Sequence, residues 1–149
     1  MSSDVEVLLK CLEIEWQDHF QTRIQTWRTL EIVAAIAVGL VGIDWRIGNR
    51  LATSAAALLL IVAAGFGVLI TRRHRKVERE KFENIIEIEK KLKLPEFGLF
   101  KEAKPPAPIE WLDVINPQKS NTPLFILRMH FILMTFGIVF LIFSWTTGD

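Results

Sequence analysis

Residues 51–70 read LATSAAALLLIVAAGFGVLI, twenty positions without a charge, and this run decides the fold. At ~1.5 Å per residue, a helix of that length covers ~30 Å, the thickness of a hydrocarbon core. The run predicts a transmembrane helix over residues 51–71. The rest of the composition agrees with a membrane chain. Half of the 149 residues are hydrophobic and the mean hydropathy is +0.29, although 23% are charged. Such a mixture fits a sequence whose apolar and charged residues are sorted into separate blocks.

Working outward toward the N-terminus, residues 32–43 (IVAAIAVGLVGI) form a shorter uncharged block between Glu31 and Asp44. Twelve residues alone also fit a buried soluble helix. Trp27 and Trp45, however, stand eighteen residues apart, ~27 Å along a helix, which matches the spacing of two interfacial aromatic belts. The block lies close to the 51–71 helix, so a tight hairpin through Arg46-Ile47-Gly48-Asn49-Arg50 is predicted, with a first span over 29–48. Asp44 and Arg46 read as interfacial caps. Toward the C-terminus, LFILRMHFILMTFGIVFLIFSW predicts a third span over 124–146, anchored at its far end by Trp145 and interrupted only by Arg128 and His130. The expected fold class is an all-α integral membrane protein of three spans, the first two forming a hairpin with long cytoplasmic extensions.

Four fixed positive charges, Arg72, Arg73, Arg75 and Lys76, follow the second span, whereas Arg46 and Arg50 in the opposite loop are offset by Asp44. The positive-inside rule therefore places the N-terminus and residues 72–123 in the cytoplasm and the C-terminus outside, in a membrane expected to be the bacterial inner membrane. Residues 1–28 carry no early apolar region or cleavage motif of a signal peptide.

No Pro or Gly interrupts residues 5–38 or 68–94, so each cytoplasmic extension continues its span as one helix, with Pro95 as the expected stop. The first extension shows an apolar stripe of Leu8, Leu12, Trp16, Phe20, Ile24 and Trp27; the second carries Phe82, Ile85, Ile86 and Leu92. Residues 1–28 hold five acids and three bases, while residues 72–94 hold nine bases and five acids. Opposite net charges predict an antiparallel stem; the alternative is two amphipathic helices lying on the lipid surface.

All six prolines fall in residues 95–123, which predicts a non-helical meander with a PPII-like Pro105-Pro106-Ala107-Pro108. Within it, Ile109, Trp111, Leu112, Val114 and Ile115 form an apolar cluster. Trp111 and Leu112 are the candidate partner contact, with a Trp dipping into the headgroups as the alternative.

Chemistry-bearing signals are sparse. Cys11, His19, His74 and His130 have no metal-ligand spacing, and Cys11 with His19 at eight residues is a poor helical chelate. There is no phosphate loop and no nucleophile elbow. No cofactor, no metal site and no catalytic residue is expected, and a net charge of +1 gives no bias toward nucleic acid. Glu31, Arg128 and His130 lie at similar depth, so a Glu31–Arg128 ion pair with His130 nearby is predicted to dock the third span on the first; the alternative is independent snorkelling. Ala35, Gly39 and Gly42 in the first span, and Ala52, Ala56, Ala63 and Gly67 in the second, form small-residue ridges that permit close helix approach.

In architecture, residues 4–94 resemble the bacterial two-helix effector domains known as SLATT: a span between Trp27 and Trp45, a second over 51–70 and a helix over 72–94. The resemblance implies an oligomeric pore or membrane-permeabilising effector in nucleotide-signalled defence. It includes no residue-level motif, and the third span and Pro-rich segment depart from that plan. The sequence alone leaves two functions: a non-enzymatic membrane protein that forms homo-oligomers, joins a membrane complex or anchors a cytoplasmic partner through its stem, or such a pore.

Overall fold

The computed structural model describes residues 3–94, 104–119 and 121–146. Among them are four helices and no strand: α1 (Ser3–Ile47), α2 (Arg50–Lys91), α3 (Trp111–Ile115) and α4 (Thr122–Thr146). Two of these, α2 and α4, are long and apolar enough to cross a membrane. The expected third span, in α1, is not among them, since its uncharged run between Glu31 and Asp44 is only twelve residues, ~18 Å.

The α1–α2 turn follows from two residues. Gly48 takes a left-handed φ of +56° and its N–H donates to the Asp44 carbonyl at 3.1 Å, closing α1. Asn49 then caps α2, its Oδ1 accepting the N–H groups of Leu51 and Ala52. Gly48→Ala is expected to lower stability by ~1 kcal/mol, because a Cβ disfavours that φ although the space around it is open. Thermal unfolding in detergent micelles measures this.

At its other end α2 stops at Lys91, three residues short of the predicted 94. Lys93 adopts φ +58° and its N–H turns back to the Lys90 carbonyl. The left-handed residue at Lys93 ends the α-helical run, so the helix closes early. The predicted stop at Pro95, and the segment to residue 103, lie outside the described residues. The helix expected over 124–146 begins at Thr122 instead, capped by Asn121, whose Oδ1 accepts the Leu124 N–H.

The chain divides into two compact units. The first comprises residues 3–25, 73–94 and 104–109. Here α1 and α2 run antiparallel: Lys81 Nζ meets Asp18 Oδ2 at 2.6 Å, Asn84 donates to Glu15, and Trp16 packs edge-on against Phe82 at 5.7 Å. Charge complementarity is a smaller part of this contact than the sequence predicts. Most α2 charges pair along their own helix, as Arg75–Glu78, Lys76–Glu80, Arg79–Glu83 and Lys91–Glu87. Arg75 also donates to the Ala107 carbonyl, which ties the proline segment to α2.

The predicted apolar stripe of α1 holds only at its start. Leu8, Leu12 and Trp16 are partly buried, but the packed side continues through His19, leaving Phe20 and Ile24 exposed. A step of four residues overshoots a helical turn by ~40°, so the four steps from Leu8 to Ile24 rotate the stripe ~160° off the seam.

The second unit comprises residues 26–72, 110–119 and 121–146. Its core joins Val33, Ala37 and Leu40 of α1 to Ala57, Leu60 and Ala64 of α2, with Leu133, Met134, Phe140 and Leu141 of α4 packed against them. The packed side of α1 here is Thr26, Leu30, Val33, Ala37 and Leu40, at alternating steps of four and three. The predicted Ala35–Gly39–Gly42 ridge faces away: all three are exposed, and a Cβ on Gly39 or Gly42 would meet nothing within 4 Å. On α2, Ala56 and Ala63 do pack on the core, Ala52 is half-buried and Gly67 is buried.

Candidate functional site

Two clusters of polar groups sit inside these units. In the second unit the cluster gathers where the long apolar run of α2 ends. Gly67 is buried, and a Cβ placed there would stand 2.5 Å from His130 Nδ1 and 2.8 Å from Nε2, so the imidazole of α4 fills the space that a side chain at residue 67 would need. One turn on, Thr71 Oγ1 donates to the Gly67 carbonyl at 2.8 Å. His130 is wholly buried, and neither ring nitrogen has a hydrogen-bond partner among the described residues.

Arg128, one half-turn before His130, reaches α3 rather than α1. Nε donates to the Val114 carbonyl at 2.8 Å, and Nη2 donates to the carbonyls of Asp113, Asn116 and Lys119. The predicted Glu31–Arg128 ion pair is absent among the described residues, and Glu31 is exposed. The physical reason is local. A five-residue helix leaves nearly all its C-terminal carbonyls unpaired, and a planar guanidinium satisfies several at once.

The same short helix is held at its start by Asp113, which the sequence reading missed. Its Oδ2 accepts the Glu110 N–H at 3.2 Å and its Oδ1 meets Lys119 Nζ at 2.6 Å. The hydrogen bond from Lys119 holds the Asp113 carboxyl below its usual range, assisted by the Glu110 amide. The available signal was an acid at the third position of a helical turn, which reaches back to the capping residue. Trp111 is sandwiched: the Arg72 guanidinium lies 4.0 Å above its ring and Phe131 meets its edge at 6.3 Å. Leu112 stays exposed.

Elsewhere in this unit the predicted aromatic anchors take different surroundings. Trp27 lies beside Phe125, Trp45 is fully open, and Trp145 carries the Arg50 guanidinium 4.3 Å over its ring. Asp44 accepts from Thr53, and Ser54 bonds to Ser144. Gly137, not foreseen, brings α4 close to the Ala57 carbonyl of α2.

The first unit holds the second cluster. His19 is buried among Trp16, Phe20 and Phe82, with Glu78 Oε1 3.9 Å from Nε2. Burial lowers the His19 pKa below its ordinary 6.5; Glu78 opposes this, and Arg23, Lys81 and Arg75 add to it. A depressed histidine contributes stability that is present above pH 6.5 and lost as pH falls toward the lowered value. Burial raises Glu89, whose contribution has the opposite sign, present below 4.5 and lost as pH rises through the raised value. Unfolding of wild type and His19→Phe at pH 7.5 and 5.5 separates the two. Wild type is expected to lose more stability on acidification than the variant.

Among the described residues no group of three or more His, Cys, Asp or Glu could hold a metal ion. Cys11 is exposed and free. Comparison with protein-family models, curated proteins and solved structures finds no match.

Proposed function

We propose that this chain is a non-enzymatic integral membrane protein in which α1, α2 and α4 all cross the bilayer, and that it assembles with copies of itself to anchor a cytoplasmic partner through its stem. The observation that carries the reading is the outward apolar surface of the second unit. Leu58, Leu59, Val62, Phe66 and Leu69 of α2, and Ile132, Val139, Ile142 and Phe143 of α4, are all exposed. The core helix of a soluble protein hides such residues; large apolar side chains left outward along both helices mark lipid or protein contact. The same unit supports α1 as a third span. Its Val33, Ala37 and Leu40 pack at the level of Ala57, Leu60 and Ala64, in the middle of the uncharged run of α2. If that run lies in hydrocarbon, so does α1, with Glu31 near the boundary where its carboxylate extends to the headgroups.

Self-association is supported by the ridge that the fold leaves unused. Gly39 and Gly42 lie exposed within the uncharged 32–43 run of α1, and small residues there allow another helix to approach closely. The permeabilising alternative uses the same ridge but also needs a polar lumen. Thr53, Ser54, Thr71 and Ser144 are all satisfied within one chain, which favours a scaffold over a pore. The test is the oligomeric mass in detergent, followed by dye leakage from liposomes. An oligomer that Gly39→Leu reduces to a folded monomer, with no leakage, is the expected result. A monomeric wild type contradicts self-assembly, and leakage by the wild-type oligomer selects the pore.

A further inference from the structure

Helix α3 is built inside out. Of its five residues, the acid Asp113 is buried, while Trp111, Leu112 and Ile115 are 54%, 71% and 77% exposed. In water this arrangement is unfavourable twice over, since it withdraws a carboxylate from solvent and presents three large apolar side chains to it. The polar interior is nonetheless complete, with Lys119 and the Glu110 amide on the Asp113 carboxylate and the Arg128 fork on the carbonyls. The Asp113 carboxylate and the carbonyls of Asp113 and Val114 are thus held inward, and the outward face is left for an apolar medium.

The depth of that face is also fixed. Arg72 is the first charged residue after the 51–71 run, and its guanidinium lies 4.0 Å over the Trp111 ring. Trp111 therefore lies where α2 leaves the hydrocarbon. Its edge meets Phe131 of α4, so the apolar face of α3 continues the outer surface of a helix apolar enough to cross the bilayer. A Trp, a Leu and an Ile at this level, beside a stacked Arg, have the composition of an interfacial element.

We infer that α3 is an interfacial anchor: Trp111, Leu112 and Ile115 are embedded at the headgroup–acyl boundary of the leaflet where α2 ends and α4 begins. The occupant of this face is lipid. The inference rests on the membrane reading above and decides between the two roles that the sequence alone leaves open for Trp111 and Leu112, a protein-partner contact or a Trp dipping into the headgroups.

The test uses the full chain with Cys11→Ala, reconstituted in phosphatidylcholine–phosphatidylglycerol vesicles and spin-labelled at Leu112→Cys, Ile115→Cys, Gln118→Cys or Val139→Cys. All four positions are exposed, so a label fits without repacking. Collision with oxygen reports lipid, and collision with a water-soluble nickel chelate reports water. The expected result is oxygen-dominated collision at 112, 115 and 139 and chelate-dominated collision at 118. Chelate-dominated collision at 112 and 115, with 139 still oxygen-dominated, overturns the anchor and leaves the membrane reading standing. Shielding of 112 and 115 from both reagents means that a protein surface covers them, which also overturns it. Chelate access at 139 overturns the membrane reading itself.

Discussion

Gly67→Ala is expected to destabilise the second unit by ~1–3 kcal/mol, the usual cost of forcing an extra carbon into a filled contact. The new Cβ would fall within 2.5 Å of the His130 ring, which is wholly buried. Either the imidazole or the backbone of α4 must move. In a helix interior alanine is ordinarily favoured over glycine by up to ~1 kcal/mol, so destabilisation here would be opposite in sign to the intrinsic preference. The His130→Ala background isolates the cause. With the ring gone, Gly67→Ala is expected to be neutral or stabilising, giving a coupling on the order of 2 kcal/mol in the double-mutant cycle. Unfolding in mixed micelles supplies the four free energies. Additive effects would mean that the ring and the glycine are not in contact.

Arg128→Ala is expected to be the other large effect, on the order of 2–3 kcal/mol, because it leaves the carbonyls of Asp113, Val114, Asn116 and Lys119 without their shared donor. Much of the loss should be local. Release of α3 exposes the bond after Lys119, so limited trypsin digestion should cut there faster than in wild type while α2 and α4 stay intact. Arg128→Lys is expected to recover little, since an ammonium lacks the planar fork that serves several carbonyls at once. Glu31→Ala should be nearly silent, its side chain being exposed. Had the two residues formed the ion pair that their depth predicts, both substitutions would have similar effects.

That contrast shows where the sequence was readable. The uncharged run of residues 51–70, the hairpin with its Gly-Asn turn and the helical continuation on both sides are local properties of composition and turn chemistry. The side of α1 that packs was legible only to Trp16, because steps of four drift around a helix whereas the packed residues keep a 3.5-residue repeat. Remote pairings were invisible. Nothing in the sequence joins Gly67 to His130 or Gly137 to Ala57, since each depends on the register in which α4 packs on α2. The destination of Arg128 was hidden for a different reason. It binds main-chain carbonyls, which every residue has, so only the brevity of α3 reveals that they need a donor. Trp111 and Leu112 were marked as a contact surface from their chemistry alone, and the buried Asp113 between them and Ile115 is what turns that face outward.

The central claim is that all three long helices cross the bilayer, which places the two ends of the chain on opposite sides. Native Cys11 and an engineered Thr146→Cys, each as the only thiol, report those ends directly, and both positions are exposed. In intact cells treated with a membrane-impermeant maleimide, three spans predict labelling at 146 and none at 11 until the cells are lysed. Equal labelling of both positions would place the ends on one side, leaving α1 outside the bilayer, and would contradict the account.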